Sequence, residues 1–201
     1  MKTTLGAKNC LYPMPVVLVG ALVNGEPNYI TVTHVGIMDF CAVSVSIGKS
    51  YYTNSGVKEH ETFSINIPSV DMVKETEYCG LVSGKNVDKA RLFDNFYGEL
   101  TTAPMIRECP INMECKLLTT IDLPRHNVFV GEIVQTYCHE EYQTNGVVNF
   151  SKVQPILFVM DDTGYWKLGE EFAKAWNVRA MENNVPSARH SEETDPNRKI
   201  S

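Results

Sequence analysis

The sequence predicts a mainly β protein whose short strands close, or nearly close, into a barrel that carries a few helical inserts. Short runs rich in β-branched residues recur along the chain, and Gly, Pro, Asn and Asp bound them. Polar and apolar residues alternate in residues 31–33 and 44–47, as expected of strands with one face in a core. Long helices do not alternate with the strands, which disfavours a parallel α/β fold.

The predicted strands are these runs, taken in chain order. They cover residues 16–23, 29–35, 41–47, 62–67, 113–121, 127–138 and 155–160. Residues 15–23 form the longest apolar run, which is less than half of the roughly 20 residues that a membrane-spanning helix needs. We therefore interpret this run as a buried strand and expect no membrane contact.

The predicted helices are short. They cover residues 57–61, 72–80, 87–93 and 169–176. Ser69 is the predicted N-cap of the second helix, and Asp71 lies near the positive end of that helix. The residues from about Pro186 onward are polar and offer little to bury. We therefore divide the chain into a barrel domain of residues 1–176 and a flexible polar C-terminal tail of residues 177–201.

Composition and charge exclude several classes of function. Of the 201 residues, 43% are hydrophobic, which is enough for a packed core. Lys and Arg number 18 against 24 Asp and Glu, so the net charge of −6 opposes binding of nucleic acid or an anionic membrane. A single small phosphate ligand remains compatible, because it needs only a local group of donors. The six cysteines contain no C-x-x-C, which favours reduced thiols and a cytoplasmic protein.

Several cofactor and metal motifs are absent from the sequence. It contains no G-x-G-x-x-G, so no Rossmann dinucleotide domain is predicted. Residues 80–86 resemble a P-loop, but the spacing differs by one residue and Asn86 replaces the Ser or Thr that binds magnesium. H-E-x-x-H and EF-hand patterns are also absent, and we predict no metal site.

Two early segments combine amides, hydroxyls and a cation. Asn28, Thr31 and Thr33 offer donors and acceptors near one strand end, which suits the polar edge of a flat heterocycle or a ribityl chain. Residues 46–55 lead from a strand into a hydroxyl-rich turn with Lys49, which is the chemistry that a phosphate monoester needs. An exposed strand face and an ordinary polar connection remain open as alternative interpretations.

Three later segments also carry candidate residues. Asn66 alternates with two isoleucines and so faces away from them, either as a turn residue or as a ligand contact. Residues 82–91 combine three cations with a glycine turn, a pattern that a solvated loop also explains. His126 stands at the head of a strand, where it is either structural or a proton donor beside a pocket.

Taken in order, these segments resemble flavoredoxin and the flavin reductase-like proteins. The matching blocks lie at residues 28–31, 44–53, 63–68, 79–89, 108–115 and 126–132, followed by Pro155 and residues 165–169. The resemblance covers about residues 12 to 170. It depends on the common order of the blocks, since no single block is specific enough alone.

The resemblance implies an FMN-binding split β-barrel of Greek-key type, active as a homodimer with non-covalent FMN near the subunit interface. The implied cofactor-binding residues are Asn28, Thr31, Thr33, Ser46, Ile47, Lys49, Thr53, Asn66, Ser83, Lys85, Lys89, Tyr165 and Trp166. Of these, Ser46, Lys49 and Thr53 are expected to hold the phosphate. Tyr165 or Trp166 is expected to cover the flavin ring by stacking.

The resemblance gives the remaining residues further roles. Asn28 and Thr31 are expected to meet the flavin ring or the ribityl chain, and Asn66 is expected to close the ring side. The loop at residues 83–89 is expected close to the site, from the same subunit or from the partner. His126 is the implied catalytic residue, near the redox edge of the flavin.

The sequence departs from the family pattern in the phosphate pocket. Many relatives have arginine where this chain has Gly48 and Tyr51, so the pocket keeps Lys49 and lacks one or two cations. Losing a charged donor typically weakens a hydrogen bond by roughly 1.5–3 kcal/mol. Lys85, Lys89 or Arg91 would have to compensate for this loss.

The implied function is that of an FMN-dependent oxidoreductase. It would pass electrons from NADH or NADPH through FMN to a small-molecule or protein acceptor. Because no dinucleotide fold is predicted, the nicotinamide would dock over the flavin face in an open groove. Two alternatives remain, namely an FMN-carrying electron-transfer protein without a nicotinamide site and a pyridoxamine-phosphate oxidase-like enzyme.

Overall fold

The protein is described by a computed structural model over residues 1–175, in which β-strands predominate. The strands are β1 (Met14–Pro15), β2 (Val17–Val23), β3 (Glu26–Val32), β4 (Val35–Asp39), β5 (Ala42–Gly48), β6 (Thr62–Ile67), β7 (Asn95–Phe96), β8 (Met105–Ile106), β9 (Ile111–Asp122), β10 (His126–Cys138), β11 (Gln143–Thr144), β12 (Val147–Val148), β13 (Ile156–Val159) and β14 (Gly164–Lys167). The helices are α1 (Tyr52–His60), α2 (Val73–Leu81) and α3 (Phe150–Val153), with 3-10 turns at Val70–Met72, Lys89–Leu92 and Glu140–Tyr142.

The largest sheet has seven antiparallel strands in the order β3-β2-β6-β9-β10-β5-β4. Its two edge strands, β3 and β4, are consecutive in the chain and only Thr33 and His34 separate them. Because an extended residue spans only about 3.3 Å, so short a link forces the sheet to curl until the end of β3 lies beside the start of β4. The end of β3 contacts β5 across this seam, and the Ser46 amide of β5 extends the β4–β5 ladder into the link by donating to the His34 carbonyl at 2.9 Å. The sheet is therefore a barrel, and the predicted mainly β barrel is confirmed.

The barrel interior is filled by the side chains that alternate inward along each strand. They belong to Val17, Val19, Ala21, Ile30, Val32, Val43, Val45, Ile47, Val57, Phe63, Ile65, Cys115 and Phe129. Helix α1 supplies Val57 to this core and packs closely on β2. A Cβ atom on Gly56 of α1 would overlap the Leu22 carbonyl, so this helix approaches the strand at a position where only glycine fits.

A second core lies on the outer face of the sheet, where α2 and the rest of the segment between β6 and β9 cover it. It contains Leu18, Tyr29, Cys79, Ala90, Phe93, Ile106 and Cys109. The ring of Tyr29 packs edge-to-face on Phe93 at 5.5 Å, and its hydroxyl donates to Asn95 Oδ1 at 2.6 Å. This cluster fixes α2 and the following loop against β3.

Several predicted boundaries differ from the observed ones. The predicted strand at residues 29–35 divides into β3 and β4, because the chain turns at the seam. The predicted helix at 87–93 is a single 3-10 turn that Asp88 caps by accepting from the Ala90 amide at 3.1 Å. Helix α1 begins at Tyr52, well before the predicted start at residue 57. Ser69 precedes a 3-10 turn and forms no side-chain cap.

Residues 1–168 form one compact unit, and a second unit begins at Gly169. Residues 169–175 are not helical, so the predicted helix at 169–176 is wrong for these positions, and Trp176 lies outside the described residues. The predicted division after residue 176 and the predicted tail at 177–201 also fall outside them and stay predictions. Within residues 1–175, no helix is long and apolar enough to cross a membrane.

Candidate functional site

Strand ends and one turn meet at the barrel seam around a hollow of about 160 Å³, which we call the seam hollow. Residues 30–34 and 46–48 line it together with Tyr51 and His126. The pairing of β5 with β10 sets His126 opposite Gly48. Five predicted site residues thus come together here, namely Thr31, Thr33, Ser46, Ile47 and His126.

Two imidazole rings lie close to each other in the seam hollow. The rings of His34 and His126 are 6.2 Å apart and meet edge to face. Thr33 and Ser46 add half-buried hydroxyls, whereas the Thr31 hydroxyl already donates to the Thr76 carbonyl. The seam hollow therefore offers hydroxyl and imidazole groups, whereas the Ile47 side chain is buried in the barrel core behind it.

The start of helix α1 forms one side of the seam hollow. Tyr51 is the N-cap residue, with an extended backbone and no side-chain cap, so its side chain satisfies none of the first amide groups of α1. A Cβ atom on Gly48 would lie 2.8 Å from the Tyr51 ring, so glycine allows this ring to cross the strand end. The positive end of α1 is consequently available to a negatively charged group.

A second hollow of about 370 Å³, which we call the lysine hollow, lies beside the beginning of β3. Residues 84–89 form one wall, and Asn28 and Tyr52 belong to the other. Tyr51 lines the seam hollow and Tyr52 lines the lysine hollow, so the start of α1 stands between the two. Lys85 and Lys89, both predicted site residues, lie in this second hollow.

Lys89 is a buried cation at the wall of the lysine hollow. Its side chain is 3% exposed, and Nζ donates to the carbonyls of Cys79 at 3.0 Å and Val82 at 3.1 Å. Burial lowers the pKa of the Lys89 ammonium, since no carboxylate within residues 1–175 forms an ion pair with it. An ammonium group has three donors, so one remains for a ligand.

Asn28 does not join the two threonines. Alternation along β3 places Asn28 on the side of Ile30 and Val32, away from Thr31 and Thr33. Its Nδ2 donates to Thr53 Oγ1 at 2.6 Å. Asn28 and the predicted phosphate ligand Thr53 are therefore bonded to each other under the lysine hollow.

Lys49 lies outside both hollows. Its ammonium forms an ion pair with Asp122 Oδ1 at 2.7 Å, and the Asn127 amide donates to the same oxygen at 2.8 Å. The hydrogen bond from Lys49 is the main reason why the pKa of Asp122 is lowered. The predicted phosphate contact would therefore compete with this carboxylate.

Asn66 is a core residue whose amide is fully used. Nδ2 donates to the Leu18 carbonyl at 2.9 Å, and Oδ1 accepts from the Ile106 amide at 2.9 Å and from Asn112 Nδ2 at 2.8 Å. The side chain is fully buried and lines neither hollow. It ties β6 to β2, β8 and β9.

The remaining predicted residues also lie apart from the seam hollow. Ser83 is exposed, and its hydroxyl accepts from the Lys85 amide at 3.3 Å. Tyr165 and Trp166 belong to β14, in a separate sheet with β1 and β13. The Tyr165 ring packs on Phe158 at 5.7 Å, and Trp166 is 56% exposed.

Four residues that shape the two hollows were not among the predicted site residues, although Gly48 and Tyr51 were noted as positions without arginine. They are His34, Gly48, Tyr51 and Gly84. His34 directly follows the predicted Thr33, and its position at the end of an alternating strand is a signal that could have identified it. A Cβ atom on Gly84 would overlap Asn28 Oδ1, a contact that no local pattern reveals.

The two hollows can bind different parts of one elongated ligand. From Asn28 to Thr33 the strand advances about 17 Å. The seam hollow suits a flat polar ring lying across it. Its volume of about 160 Å³ is below the roughly 300–1,000 Å³ of pockets that enclose a small molecule, so this chain leaves part of such a ring uncovered.

Comparison with known proteins identifies the family of this chain. The Flavin reductase like domain matches residues 9–161. The flavoredoxin from Methanosarcina acetivorans is 40% identical, with a TM-score of 0.87 over 92% of this chain and 100% of that one. The flavoredoxin of Desulfovibrio vulgaris (Miyazaki F) is 34% identical, with a TM-score of 0.83 over 89% of this chain and 100% of that one.

A further relative is similar to this chain in sequence. A protein of Archaeoglobus fulgidus is 31% identical over 128 residues, which are 62% of this chain and 72% of that protein. The barrel with its polar seam is thus a split β-barrel of the flavoredoxin type. The chain belongs to the flavin reductase-like family.

Proposed function

We propose that this protein binds FMN and acts as an oxidoreductase, passing electrons from a reduced nicotinamide through the flavin to an acceptor. The family and the likeness to two flavoredoxins support this function. The observation that carries it is the convergence of Thr31, Thr33, Ser46, Ile47 and His126 in the seam hollow. When bound, the flavin supplies the hydride and electron transfer, and the protein supplies position and hydrogen bonds.

The flavin ring is proposed to lie across the seam hollow. The hydroxyls of Thr33 and Ser46 can hydrogen-bond the polar edge of the ring, and Ile47 lines the same hollow from the barrel core. His126 is the proposed catalytic residue, because its imidazole can donate a proton or a hydrogen bond inside the hollow. His34 contacts the same space from the other side.

The FMN phosphate is proposed to lie towards the lysine hollow. The uncapped start of α1 offers the positive end of the helix, and Lys89 offers a spare N–H donor. Lys85 adds an exposed cation on the same wall. These groups would replace the positive charge that arginine supplies in many relatives at the positions of Gly48 and Tyr51. Ser83 lies at the edge of the same loop.

A homodimer is proposed because the seam hollow leaves part of a ring uncovered. Strand β4 follows His34 directly and is an edge strand. It and the following turn expose Ile37 at 87%, Met38 at 55% and Phe40 at 103%. Large exposed apolar side chains on an edge strand beside a site are typical of a protein interface. A second copy seated there would cover the open side of the ring.

The electron donor and the compartment are part of the same proposal. A reduced nicotinamide is proposed to dock on the open face of the seam hollow, since a shallow hollow leaves that face accessible. The acceptor is proposed to be a small molecule or a protein that reaches the same face. We infer a cytoplasmic protein from six cysteines that are all unpaired.

Anaerobic mixing tests this function. The purified protein with FMN should show flavin absorbance. NADH or NADPH should reduce the flavin and abolish this absorbance on the time scale of enzymatic turnover. A protein that binds FMN and stays yellow with both nucleotides is an electron carrier instead. A protein that gains no absorbance with FMN contradicts the whole proposal. Oxidation of pyridoxine 5′-phosphate, assayed in parallel, would indicate the pyridoxamine-phosphate oxidase-like alternative.

A further inference from the structure

A second recess lies at the opposite end of β10, and we call it the hairpin groove. Its volume is about 540 Å³. It is lined by Phe96, Arg107, Asn112, residues 136–139, Gln143, Gly146 and Val148. That volume falls in the range of small-molecule sites. His126 and Tyr137 are eleven residues apart on one strand, about 35 Å, so within one chain this groove is separate from the seam hollow.

The orientation of the Asn112 amide is fixed from inside the protein. Nδ2 donates to Asn66 Oδ1 at 2.8 Å and to the Ile106 carbonyl at 2.8 Å. Asn66 Oδ1 also accepts from the Ile106 amide. The Asn66 side chain therefore cannot be flipped, because a flip would set its Nδ2 against this N–H donor. Both partners of Asn112 Nδ2 are acceptors, and a flipped amide would set oxygen against oxygen. The Asn112 oxygen therefore lies on the other side of the amide, towards the groove that this residue lines.

The Asn112 oxygen needs a donor from outside the chain. The residue is 3% exposed, and no donor within residues 1–175 bonds to Oδ1. Protein atoms do not fully enclose Oδ1, as expected for an atom that reaches the groove. A buried acceptor without a hydrogen bond is destabilising, so water or a ligand must satisfy it. The floor of the hairpin groove is thus a fixed acceptor.

The walls of the hairpin groove are planar groups. The rings of Phe96 and Tyr137 meet edge to face at 5.8 Å, and the Arg107 guanidinium lies 5.1 Å from the centre of the Phe96 ring. Tyr137 donates its hydroxyl to Glu114 Oε1 at 2.7 Å, so this donor is already used. Arg107 uses Nε for Asp94 at 2.8 Å, and its terminal nitrogens can meet a carbonyl.

Charge around the hairpin groove disfavours an anion. The Arg107 charge is balanced by Asp94. The Arg107 carbonyl accepts from His139 Nε2 at 2.7 Å, and on the far side of this contact a hollow of about 290 Å³ contains Asp94, Glu108 and Glu141. These carboxylates would repel a negative ligand in the neighbouring groove, whereas a neutral ligand would not be repelled.

We propose that the hairpin groove binds neutral planar heterocycles whose edge carries an N–H beside a carbonyl, such as the lactam or imide edge of a nucleobase. The ligand N–H donates to Asn112 Oδ1. The neighbouring ligand carbonyl faces the terminal nitrogens of Arg107, and the ring packs beside Phe96. The proposal does not depend on flavin binding at the barrel seam.

Uracil is the probe, since it is neutral and planar and has this edge. We would titrate it into the full-length, ¹⁵N-labelled chain, with and without FMN, and follow the side-chain NH2 signals of Asn112. The variant Thr136→Trp would fill the groove from an exposed strand position. Gln135→Trp is the matched control, because Gln135 is also an exposed residue of β10 but does not line the groove.

The expected result is a saturable shift of the Asn112 signals with a dissociation constant in the millimolar range, as suits so small a ligand. The Thr136→Trp change should weaken uracil at least about tenfold, and Gln135→Trp should not. Methylation of both nitrogens in 1,3-dimethyluracil should cost about tenfold or more, because the donor is lost. Orotate, the anionic analogue, should also bind more weakly.

Each of the following outcomes would overturn the proposal. The first is the absence of any saturable shift with uracil. The second is equal binding of uracil and 1,3-dimethyluracil, since Asn112 Oδ1 would then have no part in recognition. The third is unchanged binding in Thr136→Trp, or shifts confined to His34 and His126 at the barrel seam.

Discussion

The Asn28 side chain donates a 2.6 Å hydrogen bond to the Thr53 hydroxyl, and both residues are almost fully buried. This bond joins β3 to the first turn of α1, between the seam hollow and the lysine hollow. It therefore fixes the helix start at which the FMN phosphate is proposed to bind. These two residues, both predicted to touch the cofactor, thus position the helix start that is proposed to hold its phosphate.

Removing the Thr53 hydroxyl should destabilise the protein. In Thr53→Val the Asn28 amide keeps its place but loses its acceptor, which should lower the free energy of unfolding by about 1–3 kcal/mol. Urea denaturation measures this change. Thr53→Ser keeps the hydroxyl and should remain close to the parent. A valine variant as stable as the serine variant would show that the Asn28 amide finds another partner.

A methyl group at Gly84 should disturb the lysine hollow. The added Cβ would overlap Asn28 Oδ1, so either the amide or the loop at residues 82–88 must move. We expect Gly84→Ala to weaken FMN by about tenfold or more, in line with loss of one charged hydrogen bond. Fluorescence titration with FMN measures the change. Gly169→Ala is the control, since no atom lies within 4 Å of its added Cβ.

The role of Lys49 can be separated from that of the lysine hollow. If Lys49 reaches the phosphate, Lys49→Ala should weaken FMN more than riboflavin, which has no phosphate. Asp122→Asn should then strengthen FMN, because it releases the Lys49 ammonium from its ion pair. Equal losses for FMN and riboflavin in Lys49→Ala would remove Lys49 from the phosphate site. Lys85→Ala, compared with FMN and riboflavin in the same way, tests whether Lys85 reaches the phosphate.

Lys89 should report the phosphate through its pKa. Burial lowers this pKa from 10.5, so folding favours the neutral amine. The unfolded chain therefore binds more protons between the lowered pKa and 10.5, and this group makes stability rise with pH across that window. A phosphate nearby stabilises the ammonium, so FMN should raise the Lys89 pKa whereas riboflavin should not.

NMR of ¹³C-methylated lysines measures this shift directly. Lys74, an exposed lysine on α2 that lines neither hollow, serves as an internal reference. A Lys89 signal that responds equally to FMN and riboflavin would place the phosphate elsewhere.

The two histidines at the barrel seam should affect flavin chemistry differently from a distant one. Loss of a proton-donating imidazole typically costs 10²–10⁴-fold in rate, so His126→Gln should slow flavin reduction by about that factor. His34→Gln should shift the flavin absorbance, because its ring lies in the same hollow. His139→Gln, at the far end of β10, should change neither rate nor spectrum. A His126→Gln variant with the parental rate would exclude a catalytic role for this residue.

The apolar surface on β4 should control the oligomeric state. Phe40 is fully exposed and Ile37 nearly so, and placing a charge at either position should disfavour burial against a second copy. Light scattering should give a dimer for the parent and a monomer for Phe40→Glu. The monomer should also bind FMN more weakly, since the open side of the seam hollow stays uncovered. A monomeric parent with full FMN affinity would contradict a shared site.

Local pattern determined the barrel class and the polar character of several strand ends. Alternating strands bounded by turn residues predict a mainly β fold, because the strand period and turn chemistry are local properties. The same periodicity placed Thr31, Thr33, Ser46 and His126 near strand ends. Those ends meet because the short link at residues 33–34 closes the sheet.

Tertiary contacts decided the roles that local pattern could not assign. Lys49 forms an ion pair with Asp122. The Asn66 amide is fully hydrogen-bonded to Leu18, Ile106 and Asn112. Both partnerships join residues far apart in the chain. Whether a polar side chain is free for a ligand depends on which donors and acceptors folding brings beside it, and no local spacing records that. The sequence alone therefore predicted the chemical groups of the site, and only the folded chain decided which of them remain available.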